Sequence, residues 1–209
     1  MCGQTFAIAA ALSVLALGSS LNVVRANPLF DQYVHQGAQN FNSGNYRGAL
    51  AAYTKAIEID SQYSVLYKYR ADAKFELQDY QGAITDYTMA IGINPQFGDA
   101  YLSRCISKAH LKDYQGSISD CTEAIQIDPQ SATAYYNRAY PKGKSNDLQG
   151  AIADYTKAIE INPQYANAYV DRGIDRANMN DLKGACLDWR KAAGLGHKRA
   201  AEWVKNDCS

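Results

Sequence analysis

Between residues 30 and 199, small, aromatic and aliphatic positions recur with a period of 34 and no insertion. Gly-Ala-Leu or Gly-Ala-Ile phrases around Ala49, Ala83 and Ala151, with Ser117 and Ala185 completing the series, set the register. Five repeats follow, at 30–63, 64–97, 98–131, 132–165 and 166–199. In the second half of each, apolar residues stand at positions 24, 27 and 28, a helical spacing. Asn45, Asp79, Asp113, Asp147 and Asp181 mark a turn at position 16, and Pro95, Pro129 and Pro163 end the second helix near position 32. Each repeat therefore reads as two helices joined by a short turn, an all-α unit that buries its apolar face against its neighbours.

Four positions define the packing. Position 4 is Tyr33, Tyr67, Tyr101, Tyr135 and Tyr169, and position 27 is Ala56, Ala90, Ala124, Ala158 and Ala192. Position 8 is small (Gly37, Ala71, Cys105, Ala139, Gly173), while position 24 is a ring except once (Tyr53, Tyr87, Cys121, Tyr155, Trp189). Small residues let helices approach and rings fill the space beside them. This pattern closely resembles the tetratricopeptide repeat family over Phe30 to Arg199, and its wording at Asp79 to Ile84 looks most like bacterial, particularly cyanobacterial, members. The resemblance implies a right-handed superhelix of antiparallel helix pairs that holds protein or peptide partners. Ala200 to Cys208, with Trp203 at position 4, continues the register as a capping helix within 200–209.

The first 26 residues read separately. An apolar run from Phe6 to Leu17 leads to Val24-Arg25-Ala26, a small-x-small cleavage pattern, so 1–26 is expected to be a signal peptide. An uncleaved membrane anchor over residues 6–24 is the alternative, since that span approaches the ~20 residues a bilayer requires. The expected location is the periplasm or another extracytoplasmic compartment such as a thylakoid lumen.

Composition narrows the partner class. The 21 basic and 21 acidic residues cancel, which removes the electrostatic footprint of nucleic-acid binding and of a polybasic membrane patch. His35, His110 and His197 are far apart in the register, so no metal site is expected. No Gly-rich phosphate loop or nucleophile–base–orienter set can be assembled, so no cofactor, small-molecule substrate or catalytic role is expected.

Comparison of the copies exposes two pairings. Arg70, Arg104, Arg138 and Arg172 hold position 7 where Asp86, Asp120, Asp154 and Asp188 hold position 23; repeat one has Gln36 and Ala52 instead. A helical pair folded about position 16 brings these two positions level, which predicts an intra-repeat ion pair; an anion-capturing arginine ladder is the other reading. Cys105 and Cys121 are level in repeat three, and Cys186 and Cys208 are nearly level one turn on. Disulfides 105–121 and 186–208 are expected in an oxidising compartment, with volume exchange between positions 8 and 24 as the alternative for the first.

The family resemblance places the binding groove on the face of the first helices, chiefly at positions 2, 5, 9, 12 and 13. Val34 and Phe41 stand there in repeat one, and Lys68, Asp72 and Phe75 in repeat two. Leu102 and Ile106 follow in repeat three, Tyr136 and Tyr140 in repeat four, Val170 and Ile174 in repeat five. The run from Leu102 onward is apolar and is expected to face water, ready for an amphipathic helix or an extended peptide; burial by a tight superhelix would remove it. Family members that grip carboxylate tails of chaperones carry a Lys and Asn set that Asp72, Ser103 and Thr133 do not reproduce. Pro141 at position 10 is expected to kink or end the first helix of repeat four. The expected function is an envelope scaffold for a protein or peptide, with self-association or chaperone-like holding of secreted or membrane chains as alternatives.

Overall fold

The structure, a computed structural model, describes residues 27–208. The signal-peptide and anchor readings of residues 1–26 lie outside that range. Ten helices form five antiparallel pairs: α1 (Pro28–Asn42) with α2 (Tyr46–Ile59), α3 (Ser64–Glu76) with α4 (Tyr80–Ile93), α5 (Gly98–His110) with α6 (Tyr114–Ile127), α7 (Ala132–Lys144) with α8 (Leu148–Ile161), and α9 (Ala166–Asn178) with α10 (Leu182–Gly194). A last helix, α11 (Lys198–Asp207), packs on α10. No strand occurs among the described residues.

The turn within each repeat is built by three positions. Position 15 has positive φ in every copy, at Gly44, Gln78, Lys112, Asn146 and Asn180. Position 16 then caps the second helix: the carboxylate or amide oxygen of Asn45, Asp79, Asp113, Asp147 or Asp181 accepts from the backbone N–H three residues on. That third residue is always glycine, and a Cβ there would overlap the capping side chain. Between repeats the device differs: Asp60, Asn94, Asp128 and Asn162 accept from the N–H two residues ahead, an Asx turn.

Core packing follows the small and ring positions. Ala49, Ala83, Ala151 and Ala185 at position 20, with most of the position 27 alanines, have no exposed surface. The position 24 ring seats on position 8 of its own first helix, so closely that a Cβ on Gly37 would overlap Tyr53 and one on Gly173 would overlap Trp189. Repeat three is the exception. Cys105 and Cys121 are fully buried and joined by a disulfide, with Cα atoms 5.4 Å apart. The second disulfide joins Cys186 of α10 to Cys208 after α11, Cα atoms 5.5 Å apart, so both expected pairings are present.

The Arg–Asp pairs are also present, as members of a larger set. Arg70 donates through Nε and Nη2 to Asp86 at 2.8 Å each. Arg104 with Asp120, Arg138 with Asp154 and Arg172 with Asp188 repeat this fork at 2.6 to 3.0 Å. A second cation at position 11 reaches the same carboxylate: Lys74, Lys108, Lys142 and Arg176, at 2.7 to 2.8 Å. The remaining Arg nitrogen, Nη1, donates to the Thr at position 25 of the preceding repeat, Thr54, Thr88, Thr122 or Thr156. Each guanidinium also lies 5.5 or 5.6 Å from the position 4 tyrosine ring of its own repeat. The ladder thus ties helices within a repeat and repeats to one another, and the fork to Asp86 and Asp154 holds the Arg70 and Arg138 pKa above the usual arginine value.

Two expectations need correction. The helix of repeat four neither ends at Pro141 nor stops short; α7 continues to Lys144. Pro141 lies in the last turns, so its missing N–H removes a single late helical bond, and its ring is buried at position 10, where Ala73 and Ser107 are buried in repeats two and three. The capping helix opens at Lys198, two residues before the position given by the 34-residue count. There Gly196 takes positive φ and His197 Nδ1 accepts from the Ala200 N–H, the same type of turn used within repeats.

Candidate functional site: a row of cavities on the first helices

First helices of neighbouring repeats touch in the middle of the chain, α3 with α5 and α5 with α7. These contacts put the first helices side by side along one face of the solenoid. Four cavities run along this side, each at a junction between repeats, and neighbours share residues.

The first cavity, about 170 Å³, lies between repeats one and two among Ala38, Phe41, Tyr53, Tyr69 and Asp72. The second, about 190 Å³, shares Phe41 and Asp72 and adds Lys68, Phe75, Tyr87 and Ile106. Ile106 is shared with the third, about 310 Å³, whose walls include Ala109, His110, Tyr136, Asn137 and Tyr140. Tyr140 is shared with the fourth, about 190 Å³, with Tyr155, Asp171, Ile174 and Asp175. Helical spacing explains the continuity: Asp171, Ile174 and Asp175 share one face of α9, and Tyr136 and Tyr140 one face of α7.

Most expected groove residues line this row: Phe41, Lys68, Asp72, Phe75, Ile106, Tyr136, Tyr140 and Ile174. Tyr140 is 46% and Ile174 37% exposed. Three others do not. Val170 is 7% exposed, which contradicts its expected access to water: it joins a cluster into which Trp203 and Val204 of the cap pack, and its carbonyl accepts from Trp189 Nε1. Half-buried Val34 and Leu102 pack beside core clusters. All three hold position 5, from which only the long side chains of Lys68 and Tyr136 reach the cavities.

The groove carries its own polar order. In the second cavity Lys68 pairs with Asp72 at 2.9 Å, and the Tyr87 hydroxyl donates to Asp72 at 2.8 Å; burial and that carboxylate push the Tyr87 hydroxyl pKa up. In the fourth, Tyr136 donates to Asp171 at 2.6 Å. Burial raises the Asp171 pKa against the opposing effect of that bond and of the His197 and Lys144 charges. Burial first, and the Asp171 charge second, push Asp175 up to about 6. Among the described residues neither carboxylate is in a salt bridge. Sequence reasoning missed this pair because positions 6 and 10 were outside the expected groove set; Tyr136 draws Asp171 into the fourth cavity's wall. Between repeats two and three His110 stacks on Tyr80 with centroids 4.5 Å apart. Among the described residues no three metal-ligating side chains converge.

A family model described as TPR repeat matches residues 144–174. No curated protein matches this chain in sequence. Among solved structures, MamA from Desulfovibrio magneticus RS-1, residues 41 to the end, aligns at 18% identity and TM-score 0.77 over 80% of this chain and 95% of its own. YrrB, described as a TPR protein with an unusual peptide-binding site, aligns at 18% identity and TM-score 0.70 over 83% of this chain and 90% of its own. The first TPR of Spaghetti (RPAP3), solved bound to the HSP90 peptide SRMEEVD, aligns at 23% identity and TM-score 0.56 over 58% of this chain and 96% of its own. At these identities the likeness concerns the fold. Together with the repeat matched at 144–174 and five in-register helix pairs, it shows that the chain has the fold of a tetratricopeptide repeat solenoid.

Proposed function

We propose that this protein is a non-catalytic scaffold that holds a protein segment in the groove of its first helices, with no nucleic acid and no small-molecule substrate. The observation that carries the reading is the row of four cavities joined through Phe41, Ile106 and Tyr140. A continuous row of partly apolar cavities suits a segment laid along it with side chains entering successive junctions. Two relatives of the same fold are described with peptides or a peptide-binding site, which supports the class of partner and leaves its identity open. An exported location fits the two disulfides, which persist in oxidising compartments.

Selection of a displayed library of random 12-residue peptides on the oxidised protein tests the reading. Binders are expected, and Ile106→Asp with Tyr140→Asp should weaken them by at least tenfold while the helical circular dichroism stays the same. Binding that survives both changes would remove the groove from the account.

A further inference from the structure

The third cavity is larger than its neighbours, and the repeats themselves explain why. At the other three junctions the position 24 ring of the preceding repeat lies in the cavity wall: Tyr53, Tyr87 and Tyr155. At the junction of repeats three and four that place belongs to Cys121, whose sulfur is turned into the buried bond with Cys105. Position 12 adds no ring there either: it is Phe41 and Phe75 in repeats one and two, Ala109 in repeat three and Gly143 in repeat four. The third junction is the one of the four that lacks the position 24 ring, and it leaves about 310 Å³ where the others leave 170 to 190 Å³. Ile106, Tyr136 and Tyr140 remain around it as apolar and aromatic walls, and His110, Lys112 and Asn137 line it as well.

One junction further on, charge replaces volume as the distinguishing property. Asp171 and Asp175 face the fourth cavity from α9, and Lys144 is the one cation among its lining residues. A half-buried carboxylate beside another carboxylate, with no ion pair of its own, is complemented by a cation from outside.

Resting on the groove reading above, we infer that the partner is an extended peptide that seats an aromatic side chain in the cavity between repeats three and four and a lysine or arginine in the next. The aromatic side chain supplies the ring that repeat three lacks, stacking on Tyr136 and Tyr140. Neighbouring first helices lie roughly 10 Å apart, a distance that about three residues of extended chain cover. The recognition pattern is therefore one aromatic and one basic residue separated by about three positions.

The library selected on the oxidised protein supplies the test. Enrichment of Trp, Tyr or Phe about three positions from Lys or Arg is expected. Ala109→Phe, which installs the residue repeats one and two already carry, should refill the cavity and cut the affinity of the selected peptides at least tenfold. Asn137→Tyr, which borrows the ring that repeat two carries as Tyr69, is the second refilling variant in case the first disturbs the fold, as checked by circular dichroism. Asp171→Asn with Asp175→Asn should erase the advantage of Lys over norleucine in synthetic versions of one selected peptide. Binders without aromatic enrichment, or undiminished by whichever refilling variant folds, would overturn the inference while leaving the groove in place. A library that yields no binder at all would overturn the groove reading and this inference with it.

Discussion

Arg104 grips Asp120 through two parallel hydrogen bonds of 2.8 and 2.7 Å, and Lys108 reaches the same carboxylate at 2.7 Å. The carboxylate is nearly buried, and it neutralises cations that belong to the other helix of the pair. The unit recurs in repeats two to five, so the solenoid is held by a ladder of charge-assisted bonds running beside its apolar core.

Replacing Asp120 by Ala leaves Arg104 and Lys108 without their counter-charge and is expected to destabilise the protein by about 3 kcal/mol. Asp113, seven residues earlier, only caps α6, and Asp113→Ala should cost about 1 kcal/mol. Urea unfolding of the two variants would show this ordering; equal losses would mean that the ion pair adds no more than a cap.

The two disulfides should differ in how they open. Cys105 and Cys121 have no exposed surface, whereas Cys186 and Cys208 are each 9% exposed and Cys208 follows the last helix. Under a dilute dithiol reductant without denaturant, Cys186 and Cys208 are expected to be alkylated at least tenfold faster than the other pair, as read by peptide mass. The same opening should change the emission of Trp189 and Trp203, the chain's two tryptophans, whose rings lie 5.2 Å apart across the α10–α11 contact. First alkylation at Cys105 would contradict the burial.

Asp175 sets a pH dependence of defined sign. Its folded pKa is raised to about 6, above the ordinary aspartate value, so the folded state holds a proton more tightly than the unfolded one. This group's contribution therefore rises as pH falls from about 7 through 6 toward 4, and it is unfavourable at neutral pH. Asp175→Asn should raise Tm at pH 7.5 and shrink the difference in Tm between pH 7.5 and pH 5. A variant with an unchanged difference would place the pH response elsewhere. A carboxylate kept at a cost to stability in a cavity is consistent with its use in binding.

Peptide affinity should carry the same group's signature in the opposite direction. Protonation of Asp175 below about pH 6 removes negative charge from the fourth cavity, so a Lys-containing selected peptide should bind at least threefold more weakly at pH 5 than at pH 7.5. The norleucine version of that peptide should show no such loss in calorimetric titrations, and an equal loss for both would assign the effect to another group.

Much of the fold was legible because five copies of one unit act as controls for one another. The joint absence of Arg and Asp from repeat one exposed their pairing, and the level placement of the cysteines exposed both bridges. Two further positions vary in step with the pair. Position 11 is Asn40 in repeat one and basic in the other four, and Thr fills position 25 in four consecutive repeats; these are the remaining members of the ladder. The groove was less legible, because position alone does not say how far a side chain reaches. Val170 and Tyr136 share position 5, yet the shorter one is absorbed by packing near the cap while the longer one crosses to Asp171. Pro141 misled for a related reason: its effect depends on being near the end of α7 and on a buried site already shaped for a small residue.

The central claim is that the partner lies along the first helices, and site-specific photocrosslinking reads this directly. Tyr140 and Met89 are almost equally exposed, at 46% and 48%, but Tyr140 stands in the groove on α7 while Met89 stands on the second helix α4, outside every cavity described above. With a photoreactive phenylalanine at one position or the other, a selected 12-residue peptide is expected to crosslink at 140 and not at 89. Crosslinking at 89 with none at 140 would contradict the account.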